Sequence, residues 1–312
     1  MEHFLVSFNA IFPLTVAMAL GYFLRRIRLL DEAGLKTLNA LSFKVFLPIY
    51  LFQNIYGTDL SAAFRWDLLL FAYAAVGLYT ALLMLVVPRL ERDNKKRGVL
   101  VQAMFRSNFA LFGLPVALSL CGEEKVGPTS LLVGLVVPFY NVLAVIVLEY
   151  FRGQKPQPKK ILKGIALNPL IIASALGVLV YLSGIRFPEV VSKCVKNLGN
   201  VATPISLVAL GGDFSFGKVR EYKKQAALTL AGKLVVSPLL MVSAGVLCGF
   251  RNETLVPILI MSGAPTAVSS YPMAQQMDGD GPLAAQSVVL TSAFSLATMF
   301  LWIFLLKNLS LI

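Results

Sequence analysis

The sequence predicts an all-α, polytopic membrane protein with ten transmembrane helices in two inverted five-helix repeats, helices 4 and 9 being broken near mid-membrane. Three observations carry this. Of 312 residues, 57% are hydrophobic and only 14% charged, where an average soluble domain has about a quarter charged. Runs of about 20 residues with little or no charge, the length a bilayer's hydrocarbon core requires, recur along the whole chain. The two halves of the chain also resemble each other at a fixed offset.

Span 1 covers residues 4–24 without a charge. The opening Met1-Glu2-His3 lacks a basic segment and no small-residue cleavage site follows, so the run reads as a retained span rather than a signal peptide. Span 2 (38–57) carries Lys44, close enough to one end to snorkel. Span 3 is 68–88, span 4 (98–121) carries Arg106, and span 5 is 129–148. Residues 152–163, rich in Pro, Gln and Lys, form the one linker-like stretch, dividing the chain into 1–151 and 164–312. Span 6 is 165–185, span 7 (197–212) is short, span 8 (225–250) carries Lys233, span 9 is 254–277 and span 10 is 281–306.

A net charge of +12 on a soluble chain would suggest an acidic partner such as nucleic acid. Here, 18 of the 28 basic residues fall in the odd-numbered loops, those after spans 1, 3, 5 and 7, and 6 in the even-numbered ones. Cytoplasmic loops collect Lys and Arg, so the odd loops are expected in the cytoplasm and both termini outside. The excess then records topology and contact with anionic lipid headgroups, and no nucleic-acid partner is expected. One His and three separated cysteines leave neither a metal-ligand cluster nor a disulfide framework, so no metal or cofactor is expected.

Residues 13–21 (PLTVAMALG) and 169–177 (PLIIASALG) share six of nine positions at an offset of 156, and Pro48-Ile49 falls on Pro204-Ile205. At 157, Pro115 and Gly122 fall on Pro272 and Gly279, and Asn108 on Pro265. Five spans per half is an odd number, so the second half enters the membrane inverted. Spans 4 and 9 hold the polar and Pro-rich stretches Arg106-Ser107-Asn108 and Ala264-Pro265-Thr266, roughly 12 to 15 Å in at 1.5 Å per residue. Gly113, Pro115, Pro265 and Pro272 are read as the helix-breaking positions. Irregular backbone at that depth is tolerated where it lines a cavity, and a helix N-terminus suits an anion.

The Asn108-x4-Gly113-x-Pro115 motif, Asn168-Pro169 opening span 6, and Ala264-Pro265 in span 9 resemble the auxin efflux carrier family, whose prokaryotic members include proposed malate and malonate permeases. The resemblance covers essentially the whole chain. It implies helices 4 and 9 crossing at the substrate site, a dimerising scaffold of helices 1, 2, 6 and 7, a mobile domain of helices 3–5 and 8–10, and elevator-type alternating access. The wider fold is that of bile-acid symporters and sodium/proton antiporters. Ser107 stands where plant members carry Pro, and the short linker replaces their long loop, so a small organic anion in a prokaryotic inner membrane is the expected cargo rather than auxin.

Asn108 is the leading substrate-binding candidate, because its amide donates to a carboxylate without the desolvation cost of a full charge. Ser107, Thr266, Ser269 and Ser270 add hydroxyls at that level. Asn141 matches a polar family position facing the crossing, and Gln53 and Asn54 are expected to face it from the scaffold side. Arg106 pairs with a carboxylate or closes off freed carbonyls, and Lys233 is a charge partner for substrate or for a half-helix end. Glu149 and Asp213 read as solvated caps. An ion antiporter of this fold would place Asp or Glu at mid-membrane, and spans 4 and 9 hold none, although carbonyls at broken helices can hold sodium, which leaves a coupling Na+ or H+ open. With His3 as the single histidine, no enzyme is expected, and the alternatives are a sodium- or proton-coupled antiporter or symporter of the same fold and a sensor that binds without transporting.

Overall fold

The computed structural model describes residues 2–57, 65–153 and 158–312; residues 58–64 and the centre of the linker, 154–157 with Lys155, lie outside that description. Regular structure among the described residues is helical. In order the helices are α1 (Glu2–Arg26), α2 (Glu32–Tyr56), α3 (Trp66–Leu90), α4 (Asn94–Phe105), α5 (Phe109–Cys121), α6 (Gly127–Phe151), α7 (Pro158–Ala166), α8 (Pro169–Leu182), α9 (Glu189–Asn200), α10 (Ala202–Asp213), α11 (Phe216–Glu221), α12 (Lys223–Leu247), α13 (Leu255–Gly263), α14 (Ser270–Gln276) and α15 (Gly281–Asn308). Five of these, α2, α3, α6, α12 and α15, are long and apolar enough to cross a bilayer, and α5 and α8 are shorter apolar helices.

Local chemistry sets the ends. The Asp31 carboxylate accepts the Gly34 N–H at 2.7 Å to start α2, and Asp93 accepts from Lys95 at 3.0 Å to start α4. Asn168 and Asp280 cap α8 and α15 in the same way, each followed by Pro within the first turn, where a missing N–H costs no helical bond. The interior of two helices is less regular: α2 loosens to π geometry at Ser42–Phe46 and α12 at Ala231–Val236.

The molecule is inside-out relative to a soluble protein. Leu78, Leu182 and Leu247 are 73–87% exposed on its outside, while Arg106 and Lys233 are 3% and 0% exposed within. That distribution suits a hydrocarbon solvent and would be costly in water. Packing divides the helices into two groups. α1 packs chiefly on α10, and α2 on α8 and α9; α3, α4 and α6 pack together, as do α12, α13 and α15. α5 joins the second group through α6 and α13 while also touching α1.

Two expectations about caps change. Glu149 is 8% exposed rather than solvated, because α7 lays Gly164 over it so closely that a Cβ there would lie 2.6 Å from the carboxyl carbon. Arg152 pairs with that carboxylate at 3.0 Å and with Asp278 at 2.8 Å. Asp213 is half-buried and meets the buried Tyr271 hydroxyl, to which Asn39 also donates at 3.0 Å.

Candidate binding site

The two helix breaks meet. α4 ends at Phe105, Arg106 is extended, and Asn108 precedes α5; α13 ends at Gly263, Ala264 is extended, and α14 resumes at Ser270. Ser107 and Thr266 form an antiparallel bridge, and the Asn108 N–H donates to the Pro265 carbonyl at 2.7 Å. Asn108 and Pro265 are the positions that the sequence offset pairs, and here they touch.

The breaks are narrower than the proline positions implied. Of the four residues read as helix-breaking, only Pro265 lies in a break. Gly113 and Pro115 fall inside α5 and Pro272 inside α14. Pro272 is in the first turn of its helix, where an N–H would lack an intrahelical partner in any case. Gly113 instead allows close packing, since a Cβ would come 2.8 Å from the Val133 side chain.

Four helix ends thus converge, and their polar groups sort by sign. On the carbonyl side, Ser107 Oγ donates to Met261 O at 2.5 Å and Tyr140 OH to the same carbonyl at 2.9 Å. Thr266 Oγ1 donates to Ala103 O at 2.8 Å, and its N–H donates to Thr291 Oγ1 at 3.1 Å. Lys233 Nζ donates to Ser107 Oγ. On the amide side, toward the starts of α5 and α14, Arg106 Nη2 donates to Asn141 Oδ1 and, at 2.8 Å, to Ser269 Oγ, while Nη1 lies against the Met273 sulfur.

A narrow cavity of about 50 Å³ opens on this amide side, lined by Arg106, Ser107, Asn108, Asn141 and Ser269, with Tyr50 and Ser206 opposite. One water needs roughly 10–15 Å³ on this measure, so the space suits a molecule of a few heavy atoms. Two features mark it as more than a packing gap. Among the described residues no carboxylate pairs with the buried Arg106 guanidinium. Asn108, 7% exposed, has its Nδ2 donor without any hydrogen-bond partner. Buried polar groups are rarely left unpaired, and each one is costly.

The remaining candidates sit elsewhere. Thr266 is buried and ties the break together, and Ser270 is buried outside the cavity lining. Gln53 and Asn54 do not line the cavity: Gln53 lies beside Gly199 of α9, and Asn54 bonds the Tyr50 hydroxyl. Lys44 is exposed. Sequence reading missed Leu47, Tyr50, Thr203, Ser206 and Tyr140, all lining the cavity. The offset of 156 pairs Leu47 with Thr203 and Tyr50 with Ser206, and that pairing was a usable signal.

Comparison with known proteins identifies the family. The family described as membrane transport protein matches residues 6–303. An uncharacterized transporter of Methanocaldococcus jannaschii is 23% identical over 97% of this chain and 100% of its own. A proposed malonate transporter of Rhizobium meliloti is 23% identical over 96% and 95%, and an uncharacterized transporter of Escherichia coli 20% over 96% and 97%. The chain therefore belongs to the membrane transport protein family, that of the auxin efflux carriers whose motifs it carries, and is a multi-pass membrane protein.

Proposed function

We propose that this protein is a secondary transporter that moves a small organic anion, a carboxylate, across the cytoplasmic membrane. The observation that carries the reading is the cavity at the helix breaks, where the buried Arg106 lacks a counter-charge and Asn108 Nδ2 lacks an acceptor. An incoming carboxylate supplies both. Charge-assisted bonds to it are about twice as strong as neutral ones, and the N-terminal ends of α5 and α14 add favourable dipoles. The malonate-named relative supports a carboxylate cargo.

The mechanism we propose is elevator-type alternating access, with ten spans in two inverted repeats, the first-group helices as a dimerising scaffold and the second group carrying the site. The packing division supports this, because the cavity is walled by α2 and α10 on one side and by both breaks on the other. The charge distribution supports odd loops in the cytoplasm and both termini outside. Proteoliposomes holding the purified protein should take up radiolabelled malonate or malate, and Asn108→Ala should abolish that uptake. Binding of these acids with no flux would make the protein a sensor instead.

A further inference from the structure

Lys233 stands behind the cavity just described, reaching it only through Ser107, and its surroundings differ from those of a substrate contact. It is fully buried, it does not line the cavity, and among the described residues no carboxylate pairs with it. A lone buried ammonium is strongly destabilising, so something must compensate it. The direct partner is a hydroxyl, and backbone carbonyls stand one bond behind it. Nζ donates to Ser107 Oγ, whose own proton goes to Met261 O, with Ala264 O at 3.4 Å. Met261 is in the last turn of α13, whose C-terminal end carries the negative pole of its dipole. Unwound carbonyls and half-helix C-terminal ends are the groups by which broken-helix carriers hold a sodium ion.

The π segment Ala231–Val236 sets this lysine within α12, and its carbonyls are secured from outside the helix. Tyr79 OH donates to Gly232 O at 2.6 Å and Trp302 Nε1 to Leu234 O at 3.0 Å. We infer that the Lys233 ammonium is a built-in cation, occupying the seat at the carbonyl ends so that the carrier works without a sodium ion at the crossing. This rests on the transporter reading above.

The test compares thermal unfolding of purified wild type, Lys233→Ala and Lys233→Met in NaCl, LiCl, KCl and choline chloride at equal ionic strength, alongside malonate uptake with and without a sodium gradient. Wild type should melt at the same temperature in all four salts and take up malonate at the same rate with or without sodium. Lys233→Ala should melt lower in choline and recover most of the loss, saturably, in NaCl or LiCl, while Lys233→Met, which fills the seat with an apolar chain, should not respond. Sodium-driven uptake or sodium-specific stabilisation of the wild type overturns the inference, as does a Lys233→Ala protein indifferent to the cation. If Lys233→Ala does not fold, Lys233→Ser, which opens the same seat, replaces it in the same four salts with the same expected and overturning results. A sodium response in Lys233→Ala with no carboxylate uptake by wild type would instead remove the transporter reading and leave the cation seat standing.

Discussion

Asn108 and Ser107 are neighbours whose side chains do opposite work. The backbone N–H of Asn108 holds the crossing through Pro265, yet its Nδ2 bonds nothing. Asn108→Ala therefore removes no native side-chain donor bond and should cost less than about 1 kcal/mol of stability while carboxylate uptake is lost. Among the described residues Ser107 is the one side-chain acceptor of Lys233 Nζ, and it also donates to Met261 O. Ser107→Ala leaves the fully buried ammonium without that acceptor, which should cost about 1–3 kcal/mol and lower the melting temperature. A melting curve in which the Asn108 variant is the weaker of the two would reverse these assignments.

At the scale of elements, the tightest junction is between α1 and α10. A Cβ on Gly211 would collide with the Met18 carbonyl, and one on Gly21 with the Val208 carbonyl, so the two backbones are in direct contact. Small residues at such crossings let membrane helices approach without help from the hydrophobic effect. Gly211→Ala should force the helices apart and cost about 1–3 kcal/mol, the range for overpacking. Gly245→Ala, facing the movable ends of Ile258 and Leu255 at 3.1 Å and 3.3 Å, should cost less; equal melting temperatures for the two would count against direct backbone contact. In the sequence Gly21 stands out only as the end of the repeated PLTVAMALG stretch, and nothing there says that it meets Val208. The helical, membrane-spanning character was legible from hydropathy, with five of the described helices long and apolar enough to cross a bilayer, and the breaks from polar residues clustered around Pro265 and Asn108. Pro272 misled because it lies in the first turn of α14, where its missing N–H would have had no intrahelical partner, whereas Pro115 lies inside α5, which runs on through it. The burial of Glu149 was invisible because it depends on how the linker returns to place Gly164 over it. Gln53 and Asn54 were polar residues at plausible depth, but sequence periodicity does not say which neighbour a face meets, and theirs meets α9 and Tyr50.

Over the whole molecule, the proposed mechanism needs α1, α2, α8, α9 and α10 to remain together while the helices bearing the breaks slide past them. The Asn39–Tyr271 bond and the packing of α1 on α5 cross this boundary and would have to break, while contacts within the first group would not. The α2–α8 junction offers a direct test. A Cβ on Gly177 would lie 3.1 Å from Ile55 Cβ, so a shift of a few tenths of an ångström between the helices reaches the ~3.5–4.5 Å spacing of a disulfide, and neither residue lines the cavity. With Cys121, Cys194 and Cys248 first replaced, Ile55→Cys with Gly177→Cys should oxidise to a bridge that keeps malonate uptake close to its reduced rate. Uptake that stops on oxidation and returns on reduction would mean that α2 and α8 move against each other during transport. The boundary between static and moving parts would then have to lie inside the group that packs most continuously.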